Sequence, residues 1–302
     1  MFDVVSFGSA VVDIFVDTDL AEKKGVISYP VGAKILLKNL RVDIGGGGTN
    51  TAVAFSRLGL KTGFLGKIGD DYNGMNILNM LYKEKVRFLG KIAKGEVSGY
   101  SVILDSRGGD RTILTYKGVN NELKSEEVKL RKIKTKWLYL TSLLEESFAT
   151  QKKLVAYLAA RGTKIAFNPS DYLIKRPDLK PILKYCEILV LNKEEAEMLA
   201  RKNNKKGDTL KALYSSGPKI VVITDKDKKI LAYDGNKKYS LMPHKVRVVE
   251  RTGAGDAFAS GFVAGQIAGW DIQKSLELGL KESESVLRYF GAKNKLLRMR
   301  IK

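Results

Sequence analysis

An α/β fold with a mostly parallel sheet and a small β insertion is what this sequence predicts, and three observations carry it. Apolar strand-like runs alternate with helical patterns at nearly every step from residue 2 to residue 290. Residues 100–104 and 112–116 break that alternation. They read as the two arms of a hairpin, with turn-forming residues at 105–110 between them. Finally, several strand-like runs end in Gly, Asn or Asp, the places where an open parallel sheet gathers a ligand.

Taken in order, residues 2–8 read as a first strand ending at Gly8, and Asp13 follows in an apolar context. Residues 14–40 show no helical period and join the hairpin in a separate small β element. Residues 49–58 and 74–82 read as helices, with a strand at 62–68 between them. A strand at 137–140, a helix at 148–160 that stops near Gly162, and a strand at 165–167 resume the alternation. Strands follow at 188–191 and 220–224, with a helix at 194–202, and residues 230–233 pair with a neighbouring strand. The β-branched run 246–249 is expected to be a strand leading into a glycine turn. After that turn come one helix to Gly269 and another over 272–290, with Asp271 as its N-cap. The simplest organisation is one domain over 1–302, with the insertion drawn from roughly 14–40 and 98–118.

Composition narrows the function classes. With 302 residues, 44% hydrophobic and 28% charged, the chain can bury a sizeable core and is not a disordered one. No apolar run reaches membrane-spanning length, and residues 1–5 lack the basic-then-apolar pattern of a secretory signal. One cysteine, Cys186, excludes an internal disulfide and reads as a core thiol, so a cytoplasmic setting is expected. The net charge is +20, from 53 Lys+Arg against 33 Asp+Glu, which favours anionic small molecules. The basic runs at 202–206, 226–229 and 298–302 carry no interleaved aromatics and read as solvated surface, so nucleic acid is not the expected partner. His244, the sole histidine, has no second histidine or nucleophile pattern beside it. That argues against a zinc site or histidine-based hydrolysis.

The chemistry concentrates at Gly253-Ala254-Gly255-Asp256, a loop opening a helix on which Phe258, Phe262 and Ile267 share a face. Small residues there let backbone N–H groups crowd around an anion at the positive end of the helix. A carboxylate beside an anion hole is a poor device for binding alone. It suits a base that takes the proton from a hydroxyl attacking the held anion, the logic of phosphoryl transfer to an alcohol. By itself Asp256 reads more readily as a favourable acid on a first turn. The run Gly45-Gly46-Gly47-Gly48-Thr49-Asn50 is either a ligand-approach loop or a hinge.

Residues 45–59 with 66–74, and residues 252–261, resemble the two signatures of the ribokinase-like (PfkB) carbohydrate kinases in order and spacing. The resemblance implies a three-layer α/β/α domain with a central mostly parallel sheet and a small β-sheet lid over the sugar site. It implies an ATP-dependent kinase acting on a hydroxyl of a sugar or sugar-like molecule, with a nucleoside kinase as the alternative. On it, Asp256 is the catalytic base, and Gly253, Ala254 and Gly255 form the anion hole. Asp13, Gly46, Gly47 and Asn50 match substrate-contacting positions, and Arg111 on the lid hairpin is a candidate for the same role. Asn192 and Glu195 resemble an N-x-x-E motif that organises phosphates and Mg²⁺, Glu195 through water. Thr224 and Lys226 occupy the nucleotide turn, where Lys226 and Lys229 replace two family glycines. Glu250 and Thr252 stand at a candidate monovalent-cation (K⁺) site. Gly47 replaces the lysine of ribokinases proper, which weakens an assignment to ribose. The lid edges suggest a homodimer.

Overall fold

Strands buried on both faces read as continuous apolar runs, and this chain has a series of them. In the computed structural model, residues 1–301 are described apart from 19, 21, 106–110, 177–178 and 204–206. The expected hairpin turn and parts of the basic runs at 202–206 and 298–302 therefore lie outside the described residues.

The large sheet runs, from one edge to the other, Lys238–Leu241, Ile230–Tyr233, Ile220–Thr224, Cys186–Asn192, Lys164–Asn168, Thr135–Thr141, Phe2–Phe7, Thr62–Leu65 and Arg87–Phe88. Its pairings are parallel except for the two that join Ile220–Thr224, Ile230–Tyr233 and Lys238–Leu241. Side chains alternate between two cores. Phe7, Leu140, Phe167, Leu191 and Ile223 pack on one face against the helices Glu145–Ala159, Lys193–Lys202 and Thr209–Tyr214. Val4, Tyr139, Ala166, Val190 and Val222 pack on the other against Gly47–Arg57, Ala254–Ile267 and Ile272–Leu287. The three layers follow directly from that alternation.

A separate four-stranded sheet is ordered Asn39–Gly45, Val11–Asp17, Gly99–Asp105, Arg111–Tyr116. The hairpin arms pair antiparallel, with Asp105 opposite Arg111. The first part of the insertion is not a continuous β segment over residues 14–40 but two strands, Val11–Asp17 and Asn39–Gly45. Its strands begin earlier, at Val11, and resume only at Asn39, while the described part of 18–38 holds no more than the Lys23–Val26 bridge.

Two strand expectations are corrected. Residues 62–68 split at Gly66: Thr62–Leu65 joins the large sheet, while Lys67–Gly69 pairs with Lys91–Ala93. Residues 246–249 are not a strand. Among the described residues no strand pairs with it, and Val248 and Val249 stay about half exposed. The segment is held by the Val249 and Glu250 N–H groups, which both donate to the Leu287 carbonyl at the end of the last helix.

Sheet order reverses between Phe2–Phe7 and Thr135–Thr141, since the strands after Phe2–Phe7 extend one way and those from Thr135 onward the other. Ligands of open α/β sheets bind beyond the strand ends at such a reversal. Here the first strand runs into Gly8 and Ser9, and the Ser9 carbonyl accepts the Gly48 and Thr49 N–H groups at 3.0 and 3.3 Å. That contact seats the first helix over the reversal. Gly46 adopts φ 94°, and a Cβ there would lie 2.5 Å from the Ser9 oxygen, so the glycine run is in part a packing device. Thr141 and Asn168 sit side by side at the ends of adjacent strands, as do Asn192 and Thr224.

Candidate active site

Gly253 caps the helix Ala254–Ile267 in the left-handed region, φ 79°, and a Cβ there would strike Ala292. This turn puts Asp256 on the first helical turn and leaves open space beside Gly255. The N–H groups of a first turn have no intrahelical acceptor and are free for an anion. Of the three expected donors, Ala254 N–H reaches back to the Arg251 carbonyl at 3.3 Å.

Asn50, buried on the first helix, donates its amide Nδ2 to Asp256 Oδ2 at 2.8 Å. Its Oδ1 accepts from the ammonium of Lys293, which also donates to the Ile44 carbonyl. Asp13, only 8% exposed, comes from the small sheet opposite Asp43. Burial pushes the Asp13 carboxyl up to about 6, with Lys293 opposing and Asp43 and Asp256 adding repulsion. Burial likewise lifts Asp256, against the pull of Asn50 and then Lys293. It also brings Lys293, 6% exposed, down to about 8 despite Asp43, Asp13 and Asp256. The fold thus brings together Asp13, Gly46, Asn50 and the Gly253–Asp256 turn, as read from the sequence. Lys293 and Asp43 were missed. Neither belongs to a motif, and the one local hint is Gly291-Ala292 before Lys293: a Cβ at Gly291, φ 91°, would meet the Asp43 carboxylate.

Gly47 opens the first helix close to Thr141. Arg111 does not stand free toward the acceptor pocket. Its Nη1 donates to Glu250 Oε1, and to Thr252 Oγ1 at 3.0 Å. The same Glu250 oxygen accepts from the Arg251 and Thr252 N–H groups and from Thr252 Oγ1. A carboxylate oxygen already holding a guanidinium and three further donors does not fit a monovalent cation, so we derive no step through K⁺. Asn120 is a structural clamp, exchanging two hydrogen bonds with the Ala10 backbone.

At the end of the strand Cys186–Asn192, Asn192 caps the helix Lys193–Lys202. Its Oδ1 accepts the Glu195 N–H, and Glu195 Oε2 accepts the Asn192 N–H, both at 2.9 Å. Burial pushes the Glu195 carboxyl up to about 7, helped by repulsion from Asp171, Asp256 and Glu194. Thr224 lies opposite Asn192. Lys226 keeps a left-handed backbone, φ 50°, where the resemblance expects glycine, and pairs with exposed Glu194 at 3.3 Å. One half-buried carboxyl at a strand end fits Mg²⁺, which takes few protein ligands and keeps its waters. His244 is largely exposed and meets Glu284, away from this site. Burial raises the Cys186 thiol, as expected of a core residue.

A model of the pfkB family carbohydrate kinases matches residues 1–298. The chain belongs to that family. A 5-dehydro-2-deoxygluconokinase of Clostridium perfringens is 30% identical, over 92% of this chain and 85% of its own. A cytidine kinase of Thermococcus kodakarensis is 26% identical, over 96% and 98%. The crystal structure of a ribokinase from Thermotoga maritima superposes with a TM-score of 0.83 at 22% identity, covering 98% of this chain and 96% of that one. The chain is therefore an ATP-dependent phosphotransferase with an alcohol group of a sugar-like molecule as acceptor. Among the described residues no helix is long and apolar enough to cross a membrane.

Proposed function

We propose that the acceptor lies between the small sheet and the Asn50–Asp256 pair, with the whole chain working as one kinase domain and the small sheet as its lid. The carrying observation is the 2.8 Å Asn50–Asp256 bond at the mouth of the left-handed Gly253 turn. Asp256 Oδ2 is engaged by Asn50, so Oδ1 takes the acceptor proton. The acceptor oxygen then bonds to the γ-phosphorus as the bond to the β–γ bridging oxygen breaks, and ADP leaves. The Gly253 and Gly255 N–H groups hold the moving phosphoryl oxygens, the Ala254 N–H being shared with the Arg251 carbonyl. Asp13 accepts from acceptor hydroxyls, beside Gly46, Gly47 and Asn50. Asn192, Thr224 and Lys226 lie along the nucleotide, and Glu195 would hold Mg²⁺ through water. When bound, the ion neutralises phosphate charge.

Charge supports an uncharged acceptor. Asp13, Asp43 and Asp256 face the buried Lys293, the half-buried Lys117 lies beside Asp13, and Arg111 is engaged by Glu250, so carboxylates still outnumber free cations there. A sugar acid or sugar phosphate would meet repulsion there. The full-length similarity to a cytidine kinase supports the second reading, a nucleoside acceptor. An ADP-release screen over sugars, sugar acids, sugar phosphates, polyols and nucleosides separates the two. Turnover on a neutral sugar or a nucleoside is the expected result, and turnover confined to anionic acceptors would overturn the charge argument.

Two coarser expectations join this reading. An ATP-using enzyme whose one thiol is buried suits the cytoplasm. The outer face of the small sheet carries Leu40, Val42, Leu114 and Tyr116, each about half exposed. Val42, Ile14, Val102 and Leu114 form one row across its four strands. Such a face suits a self-complementary homodimer contact, which light scattering would detect as a doubled mass.

A further inference from the structure

We propose that Lys293 is a positioning residue for the reaction: through Asn50 it orients and aims the carboxylate of Asp256. The inference rests on the reading of Asp256 as the base.

The argument begins with hydrogen-bond polarity. A lysine ammonium has three donors and no acceptor, whereas an asparagine amide has one donor end and one acceptor end. The Lys293 ammonium touches Asn50, so it must meet Oδ1. That leaves the amide NH₂ pointing the other way, toward Asp256 Oδ2. With the ammonium fixed, only one amide orientation satisfies the chain, and it is the one that favours a carboxylate at its far end. Without it, Asn50 could flip and present oxygen to oxygen, which would favour protonated Asp256 and an unproductive base.

Lys293 is itself well held. It is buried, and its second contact is the carbonyl of Ile44 at the end of a strand of the small sheet. The ammonium thus makes both contacts only when that strand is seated over the first helix. This ties the position of the small sheet to the aim of the base.

Charge acts in the same direction. Lys293 faces Asp13 and Asp43 from the small sheet, Asp256 from the helix of the glycine turn, and Arg57 from the first helix. Lys117 lies near Asp13, while Tyr139, Tyr172 and Glu195 lie near Asp256. Burial alone raises Asp256, and the ammonium opposes it. Removing the ammonium leaves three carboxyl groups around one pocket, and among the described residues the remaining cations are Arg57, whose guanidinium is held by Glu84, and Lys117, beside Asp13 alone.

The test compares Lys293→Met and Lys293→Gln in steady-state assays across pH, with an acceptor taken from the screen. Methionine removes both the charge and the donor. Its kcat is expected to fall by roughly 10- to 100-fold, as misaimed groups do. The acid limb of its kcat profile is expected to move up by about one pH unit, the shift that loss of a nearby opposite charge produces. Acceptor KM at pH 8 and nucleotide affinity should stay near wild type. Glutamine restores a donor for Asn50 without the charge, so kcat should partly recover while the acid limb stays displaced. Nucleotide binding reports folding in each variant, and the glutamine variant carries the test if the methionine variant does not fold. An acid limb that stays in place in both folded variants, or a loss confined to acceptor KM, overturns the proposal. If Asp256→Asn is inactive while both Lys293 variants behave as wild type, this inference alone falls. If Asp256→Asn keeps its rate, the reading of the base falls with it.

Discussion

Around Asp256 the side chains that matter arrive from four distant stretches of chain, near residues 13, 43–50, 256 and 293. Around Asn192 they arrive within four residues of one another, closed into a capping box. That box is complete as soon as one helix forms on one strand, and only Thr224, from the adjacent strand, is then added beside it. The acceptor side exists only after the first helix, the small sheet, the helix Ala254–Ile267 and the C-terminal segment have all packed. A helix cap can be built locally. Aiming a base at a hydroxyl needs long-range ties, and the buried charges collect where those ties meet.

The contrast is open to measurement, and pH gives the largest effect. Burial first of all pushes the Asp13 carboxyl up to about 6 and the Glu195 carboxyl up to about 7. A raised carboxyl is protonated below its shifted value, so each loses its acceptor role as pH falls through it. Well below pH 6, kcat/KM for the acceptor should fall roughly tenfold per unit, and donor affinity should begin to weaken earlier, near pH 7. The Glu195→Gln variant should lose the donor limb and keep the acceptor limb. A single shared limb would erase the distinction between the two halves.

A smaller effect is expected at the tie between the hairpin and the glycine turn. Arg111→Met removes the contact with Glu250 and Thr252, so the small sheet should close less well over the site. An approximately fivefold drop in kcat is expected, with more ATP hydrolysis in the absence of acceptor, since a closed site excludes water. Unchanged coupling between ADP release and acceptor consumption would show that this tie is dispensable. The smallest effect belongs to Lys226→Ala. Its partner Glu194 is exposed, and exposed pairs contribute little. Nucleotide affinity should change by less than about twofold, and a tenfold loss would mean that Lys226 reaches the phosphates.

The same contrast governs what was legible in the sequence. Features completed within a few residues could be read: the Gly253 turn, the Asn192–Glu195 box, the Asp271 cap, whose carboxylate accepts the Lys274 N–H, and the paired hairpin arms. Features that need a partner from elsewhere could not. The β-branched run 246–249 has the composition of a strand, but among the described residues no strand pairs with it, and it docks on Leu287 instead. Lys293 sits past the last helix in a stretch rich in exposed cations, and only the packed fold separates it from them. The Lys226 turn goes the other way: the glycine is gone from the sequence, yet the left-handed backbone persists. Arg111 was legible as a residue of interest, but not its partner 139 positions away.

The most direct test of the account is the rate of phosphoryl transfer by Asp256→Asn in a single-turnover experiment, with nucleotide binding measured alongside. The substitution keeps the shape of the side chain but removes the proton acceptor. A loss of roughly 10³-fold or more in the transfer rate, with nucleotide affinity within about twofold of wild type, is the result the account predicts. Transfer within about tenfold of the wild-type rate would contradict it, because the proton would then be leaving by a route that does not pass through Asp256.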